Sequence, residues 1–227
     1  MDFSIRNKQN VESRWRKVHE KERAYIRDNK EKTKHFRARI CGFLAGDGNL
    51  LIAGKNNKHH NTVRFFPDHH SLIKPYIEAT LKVYNKKPKI IKKKNYYCLN
   101  IDSKPMVEDI LSTTTLGTST WSIPKSLKSN NEKIEWLRAF FDAEAYVHQK
   151  YIRVQSVNGE GLKEVKELLG DLNIYSKIYE YMPKQKNHKK VYMLTIIRKK
   201  DKLHYKSLIG FNHTTKLKKL NFTLQTR

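Results

Sequence analysis

The chain has 227 residues, with 47 Lys and Arg against 22 Asp and Glu and a formal net charge of +25. An excess that large and that evenly spread implies a polyanionic partner, and its interleaving with Tyr and Phe favours nucleic acid over an anionic membrane. The 38% hydrophobic content supports a core and excludes disorder throughout. No apolar run nears the ~20 residues that would span a bilayer, and no secretory leader opens the chain. Cys41 and Cys98 form no disulfide framework, which fits a reducing, intracellular setting.

In chain order, residues 1–34 are densely charged and predict a solvated helix docked by Trp15, Val18 and Tyr25. Two readings of this extension stand: a peripheral addition of positive charge, or an arm that tracks DNA phosphates. From His35 the chain predicts a helix over 36–46, strands over 49–53 and 62–66, a helix over 71–84, strands over 87–91 and 96–101, and a helix over 104–112. A Ser/Thr/Gly linker covers 113–120. The order then repeats: helix 132–143, strands 145–148 and 151–156, helix 161–172, strands 176–182 and 191–197, helix 201–209 and a tail. Each half therefore reads αββαββα, with domains at 35–120 and 121–227 behind the extension at 1–34.

Two segments begin these halves and match each other. Ile40-Cys41-Gly42-Phe43-Leu44-Ala45-Gly46-Asp47-Gly48 and Leu137-Arg138-Ala139-Phe140-Phe141-Asp142-Ala143-Glu144-Ala145 are apolar runs with small residues four apart, closed by an acid and a small residue. Gly42 and Gly46, like Ala139 and Ala143, share one helix face and let two backbones approach closely. Gly48 supplies a helix stop through a left-handed conformation. Asp47 and Glu144 fall at helix C-termini, where the macrodipole disfavours a carboxylate by roughly 0.3–1 kcal/mol. If the helices pair in parallel, the two acids repel, and a divalent cation with oxygen ligands, Mg²⁺, resolves the conflict. Such a metal activates water and stabilises the leaving oxygen of a phosphodiester. No zinc spacing and no phosphate-binding glycine pattern occurs. The pairs His59-His60 and His69-His70 read as solvated loop residues.

The two segments resemble the motifs of the LAGLIDADG homing endonucleases, in the single-chain form that carries both motifs. The resemblance covers roughly residues 35–220. It implies an α+β fold in which two pseudo-symmetric αββαββα halves form a saddle of two antiparallel sheets, with the motif helices at the interface. It also implies a monomeric, Mg²⁺-dependent, site-specific double-strand DNA endonuclease of intron homing, acting on a long pseudo-palindromic site. Asp47 and Glu144 take the metal-binding positions. Gln155, or Ser156 in the next register, takes the water-orienting polar position, and its first-half counterpart is Phe66 or Pro67. Lys216, in Ile209-Gly210-Phe211-Asn212-His213-Thr214-Thr215-Lys216, takes the basic catalytic position, with Lys125 as a weaker first-half match. Ala145 departs from the motif's glycine, and Glu144 from its aspartate.

For DNA contact, strand alternation nominates Arg64, Lys89, Arg153 and Lys177, and proximity to the acids nominates Asn49 and His148. The basic turns nominate Lys55, Lys93 and Lys186. Two alternatives keep the fold: a maturase that binds intron RNA, and a non-cutting DNA-binding relative. An intein is disfavoured, because no splicing domain or terminal nucleophile flanks the repeats.

Overall fold

The computed structural model describes residues 3–55, 60–183 and 189–225, and of 3–10 the backbone alone. Lys186 and the middles of the turns at 55–61 and 184–190 lie outside the described residues. The first half comprises α2 (Lys34–Asp47), β1 (Gly48–Leu51), β2 (Thr62–Phe65), a short 3₁₀ turn (His70–Leu72), α3 (Ile73–Tyr84), β3 (Lys89–Lys92), β4 (Tyr97–Asp102) and α4 (Lys104–Leu111). The second repeats it: α5 (Asn130–Glu144), β5 (Tyr146–Val147), β6 (Ile152–Ser156), α6 (Gly159–Asp171), β7 (Lys177–Tyr181), β8 (Val191–Ile196) and α7 (Lys199–Leu208). Two helices lie outside the repeat, α1 (Phe3–Asn29) and α8 (Thr214–Gln225). The sheets run β1-β2-β4-β3 and β5-β6-β8-β7, antiparallel throughout.

The small-residue faces of α2 and α5 meet. A Cβ on Gly42 would lie 2.3 Å from the Trp136 carbonyl oxygen and 3.0 Å from Ala139 Cβ. One on Gly46 would lie 2.6 Å from Ala143 Cβ. The matching order, 42 with 139 and 46 with 143, makes the pair parallel and brings both C-termini to one end. Phe43 and Leu44 fill the first core with Phe65, Tyr76 and Leu99, while Phe140 and Phe141 fill the second with Trp136, Val154 and Leu194. Arg39 of α2 donates to Glu135 of α5 (2.6 Å), and Arg138 pairs with the same carboxylate. Ser129 caps α5: its Oγ accepts from the Glu132 N–H and donates to the Glu132 carboxylate, which also accepts from the Lys128 N–H.

Gly48 does not take the left-handed conformation expected of it; φ −117° and ψ 160° are extended. Its glycine is required by space, since a Cβ would lie 2.4 Å from Leu44 Cα. Ala145 is likewise extended (φ −76°, ψ 138°) and buried, so alanine sits there without strain. The expected tail is helix α8, whose Leu220, Thr223 and Leu224 are buried. The N-terminal helix exists, but Trp15 and Val18 are exposed (57% and 36%), and its attachment is made by Glu22, Arg23, Tyr25 and Ile26.

Candidate active site and nucleic-acid interface

Asp47 is the last residue of α2 and Glu144 the last of α5. The Glu144 side chain lies over Gly46, whose Cβ would meet Glu144 Cγ at 3.2 Å. Burial, then the nearby Asp68 charge, pushes the Asp47 carboxyl up to about 6. Burial, then the Asp47 charge, pushes Glu144 up to about 7. Both acids are half-buried and lie beside like charge, conditions that disfavour ionisation unless a cation arrives.

Lys216 is the cation already present. Its Nζ donates to the carbonyl oxygens of Asp142 (2.5 Å), Ala143 (2.9 Å) and Phe141 (3.4 Å). The Asp142 and Ala143 carbonyls belong to the unsatisfied last turn of α5, while that of Phe141 also accepts from the Ala145 N–H (3.0 Å). An ammonium there also faces the negative pole of the macrodipole. Burial lowers the Lys216 pKa, while Asp68, Asp142, Asp47 and Glu144 oppose that shift.

Lys216 reaches this place through Asp142, which was not foreseen as a site residue. Asp142 is fully buried and accepts from the Asn212 N–H (3.2 Å), Asn212 Nδ2 (3.0 Å) and the His213 N–H (2.9 Å). It pins the segment that turns at Gly210 (φ 64°) into α8. Burial, outweighing those hydrogen bonds, raises its pKa to about 6. The first motif carries Ala45 at the same position and has no such anchor.

Asp68 was also missed. It follows β2, and His213 Nε2 lies 3.5 Å from its Oδ1. That hydrogen bond, ahead of an opposing burial effect, lowers the Asp68 pKa. His213 stacks on His69 (centroids 4.5 Å apart), and the Thr214 N–H donates to Ser71 Oγ (3.3 Å). The start of α8 thus crosses to the first half and closes one side of the acid pair.

Gln155 is exposed and shares with Glu144, Gly46 and Gly48 the wall of a cavity of about 490 Å³. Ser156 lines the same cavity, and its Oγ accepts from the Asn158 N–H. The pairs Gly48↔Phe65 and Tyr146↔Arg153 align Gln155 with Phe66, so the first half has no amide at that register. Lys125 is exposed, and its neighbour Pro124 lines a cavity with Lys34, Arg37 and Glu132, at the N-terminal end of the motif helices and away from the acids.

The sheets carry the remaining nominations. Asn49, Arg64, Asn100 and Lys89 oppose one another in sequence across the first sheet. Tyr146, Arg153, Thr195 and Lys177 form the equivalent rung of the second. Arg64 Nε donates to Asn49 Oδ1 (2.8 Å) and its guanidinium lies over Phe66, while Arg153 lies over Tyr146 and Tyr151. The His148 ring stacks on Tyr146 and contacts Tyr151 at a tilt, and its Nδ1 accepts from the Lys150 N–H. Lys55 and Lys93 are exposed at the β1–β2 and β3–β4 turns.

Among the described residues no three His, Cys, Asp or Glu side chains converge on one cation point. Asp47 and Glu144 still fit a hard divalent cation: they are oxygen donors, half-buried and mutually repelling, and such a cation keeps several waters as its other ligands. Among the described residues, no helix is long and apolar enough to cross a membrane.

A model of the LAGLIDADG-like domain matches residues 131–210. The replication factor C small subunit of Methanocaldococcus jannaschii is 28% identical over 202 residues, covering 86% of this chain and 10% of that protein. The chain thus spans about a tenth of the length of this curated relative. Mesophilic variants of the homing endonuclease I-DmoI share the fold at TM-score 0.62 and 20% identity, over 78% of this chain and 96% of theirs. I-DmoI in complex with DNA and Mn gives 0.61 and 21%, over 78% and 97%. The N-terminal LAGLIDADG domain of DUF199/WhiA gives 0.54 and 17%, over 78% and 83%.

Proposed function

We propose that this chain is a two-motif protein of the LAGLIDADG family and a site-specific double-strand DNA endonuclease that uses a divalent metal. Residues 35–120 and 121–227 serve as the two halves, each supplying one acid and one sheet. The observation that carries this reading is the pairing of Asp47 and Glu144 at the joined C-termini of α2 and α5. Pushed up to about 6 and about 7, they leave a half-buried negative site that a cation would relieve.

In this reading Asp47 and Glu144 hold the cation, Mg²⁺ in the cell. When bound, it supplies a polarised water and neutralises charge on the phosphodiester. Lys216 keeps positive charge beside both acids and fixes the end of α5, so the carboxylates arrive pre-positioned. Gln155 orients water on the second-half side, and Asp68 with His213 forms the wall on the first-half side. The solved I-DmoI complexes with DNA and Mn, and with DNA and Ca, support duplex DNA as partner and a divalent metal as cofactor. The rungs centred on Arg64 and Arg153 then lie in the major groove, where arginine reads guanine and asparagine reads adenine. The first rung carries two amides and the second a tyrosine and a threonine, so the two half-sites differ.

The test is selection of cut duplexes from a randomised pool in Mg²⁺. Recovery of one long asymmetric site cut on both strands, and none in chelator, is expected. Recovery of a bound but uncut site in Mg²⁺ and Mn²⁺ alike would leave only a non-cutting DNA-binding protein. Specific retention of structured RNA with no duplex selected would leave only the maturase.

A further inference from the structure

Helix α1 is longer than its anchor. Its last turns hold it to the first half: Glu22 accepts from Lys86 Nζ (2.5 Å) and Ser103 Oγ (2.6 Å), Arg23 donates to Glu108 (3.0 Å), the Tyr25 hydroxyl donates to the Lys82 carbonyl (3.4 Å), and Ile26 is buried. Upstream, every residue from Val11 to Val18 is exposed on all sides of the helix. At 1.5 Å per residue, the stretch from Phe3 to Val18 extends about 24 Å past that anchor. A lone helix of this length is marginal in water, so a surface that covers it would contribute directly to its order.

Its side chains and its position select the partner. Arg14, Lys17 and Lys21 are three and four residues apart and form one stripe, with Arg16 on the opposite flank. The ion pairs that α1 makes among the described residues engage Glu22, Arg23, Arg27 and Asp28, and leave those four cations to solvent. The turn carrying Trp15 and His19 faces a cleft shared with Asn61, Asp102, Ser103 and Lys104. These residues mark the ends of β2 and β4 remote from the acids, because at the other end of β2 the Phe66 N–H donates to the Asp47 carbonyl. Five residues of strand separate Phe66 from Asn61, or roughly 17 Å, which corresponds to about five base pairs at 3.4 Å each. A duplex that crosses the acids and follows β2 outward therefore passes beyond this end of the sheet, where α1 begins its free course.

We infer that α1 is a second DNA-contact arm, which binds backbone phosphates of the duplex flanking the target, on the first-half side only. The inference rests on the duplex-DNA part of the proposed function. It adds a contact that has no counterpart in the second half, since α5 is preceded by the linker 113–128 and by no helix.

The test compares the full chain with the variant Arg14→Gln/Arg16→Gln/Lys17→Gln/Lys21→Gln. The control is Lys163→Gln/Lys166→Gln/Lys200→Gln/Lys206→Gln, which removes equal charge from exposed positions on α6 and α7. The probe is a 60-base-pair mixed-sequence duplex in Ca²⁺, with affinity followed against salt. Each phosphate contact contributes about 0.9 to the slope of log K on log salt, so loss of the arm lowers the slope by about 2–3, and the control lowers it by less than about 1. On a selected target, hydroxyl-radical protection retreats on one flank only, while the cut positions stay fixed. Equal slopes for the two variants with an unchanged footprint would overturn the arm while leaving the endonuclease reading intact. A dimer in sedimentation that Trp15→Ser dissociates would overturn it in favour of a second copy on the Val11–Trp15–Val18 stripe. Failure of the unmodified chain to bind any duplex would overturn the proposed function, and the arm with it.

Discussion

Replacing Glu144 by Gln removes a charge that the metal-free fold holds at a cost. Burial and the Asp47 charge raise the Glu144 pKa from 4.5 to about 7. Between those values the folded state binds more protons than the unfolded state, so stability falls as pH rises through that window. At about 1.4 kcal/mol per pKa unit, ionised Glu144 costs the fold about 3 kcal/mol at pH 8, an upper bound because water reaches part of the site. Glu144→Gln keeps the size and loses the charge. In EDTA at pH 8 it is expected to melt up to about 6–12 °C above the wild type, using roughly 2–4 °C per kcal/mol for a chain this long. At pH 4, where both states carry the neutral acid, the two melt together. Mg²⁺ raises the wild-type Tm and raises that of Glu144→Gln far less. Differential scanning fluorimetry across pH 4–8, with and without Mg²⁺, measures all of this. Equal melting of variant and wild type at pH 8 in EDTA, with parallel pH curves, would refute the claim that the carboxylate is electrostatically penalised.

Three further outcomes follow from the packing and the turn. Gly42→Ala drives a Cβ against the Trp136 carbonyl and is expected to cost about 1–3 kcal/mol in urea unfolding, whereas Gly170→Ala, in α6 with nothing within 4 Å, is expected to stabilise by up to about 1 kcal/mol. Lys216→Met strips the last α5 carbonyls of their donor and the acids of their cation; single-turnover cutting should fall by about 10²-fold or more with DNA affinity changed less than about threefold, and a parallel loss of both would make Lys216 a DNA anchor instead. Asp142→Asn leaves three N–H donors facing an amide that can accept from one side only, at a cost of about 1–3 kcal/mol, read as a lowered urea midpoint and faster hydrogen exchange at Asn212 and His213.

The motif helices were legible because their signal is local: small residues four apart fix the contact, and an acid at each helix end has no structural reason to be there. Strand alternation was legible for the same reason, and it puts Arg64 and Lys89 in one rung of the first sheet. Gly48 shows where local reasoning stops. A glycine after a helix suggests a left-handed cap, but the constraint is Leu44 packed against it. Asp68 sits in a Pro-Asp-His-His stretch that reads as a solvated turn, and it enters the site only because His213 crosses from the other half. Helix α8 did have a signal, with Leu217, Leu220 and Leu224 at helical spacing behind Thr214-Thr215. It was hidden because Gly210 marks a true helix end just before it. Asp142 lies inside the motif itself, and only its burial against the 212–213 turn separates it from the acid two residues later.

In the proposed function, Asp47 and Glu144, half-buried at one helix-pair terminus, cut DNA through a metal they hold together. The most direct test measures binding and cutting side by side on one selected duplex, for the wild type, Asp47→Asn and Glu144→Gln, in Mg²⁺ and in Ca²⁺. Full-affinity binding by all three, with double-strand cutting confined to the wild type in Mg²⁺, is the predicted result. Double-strand cutting by either single variant at the wild-type rate would contradict it.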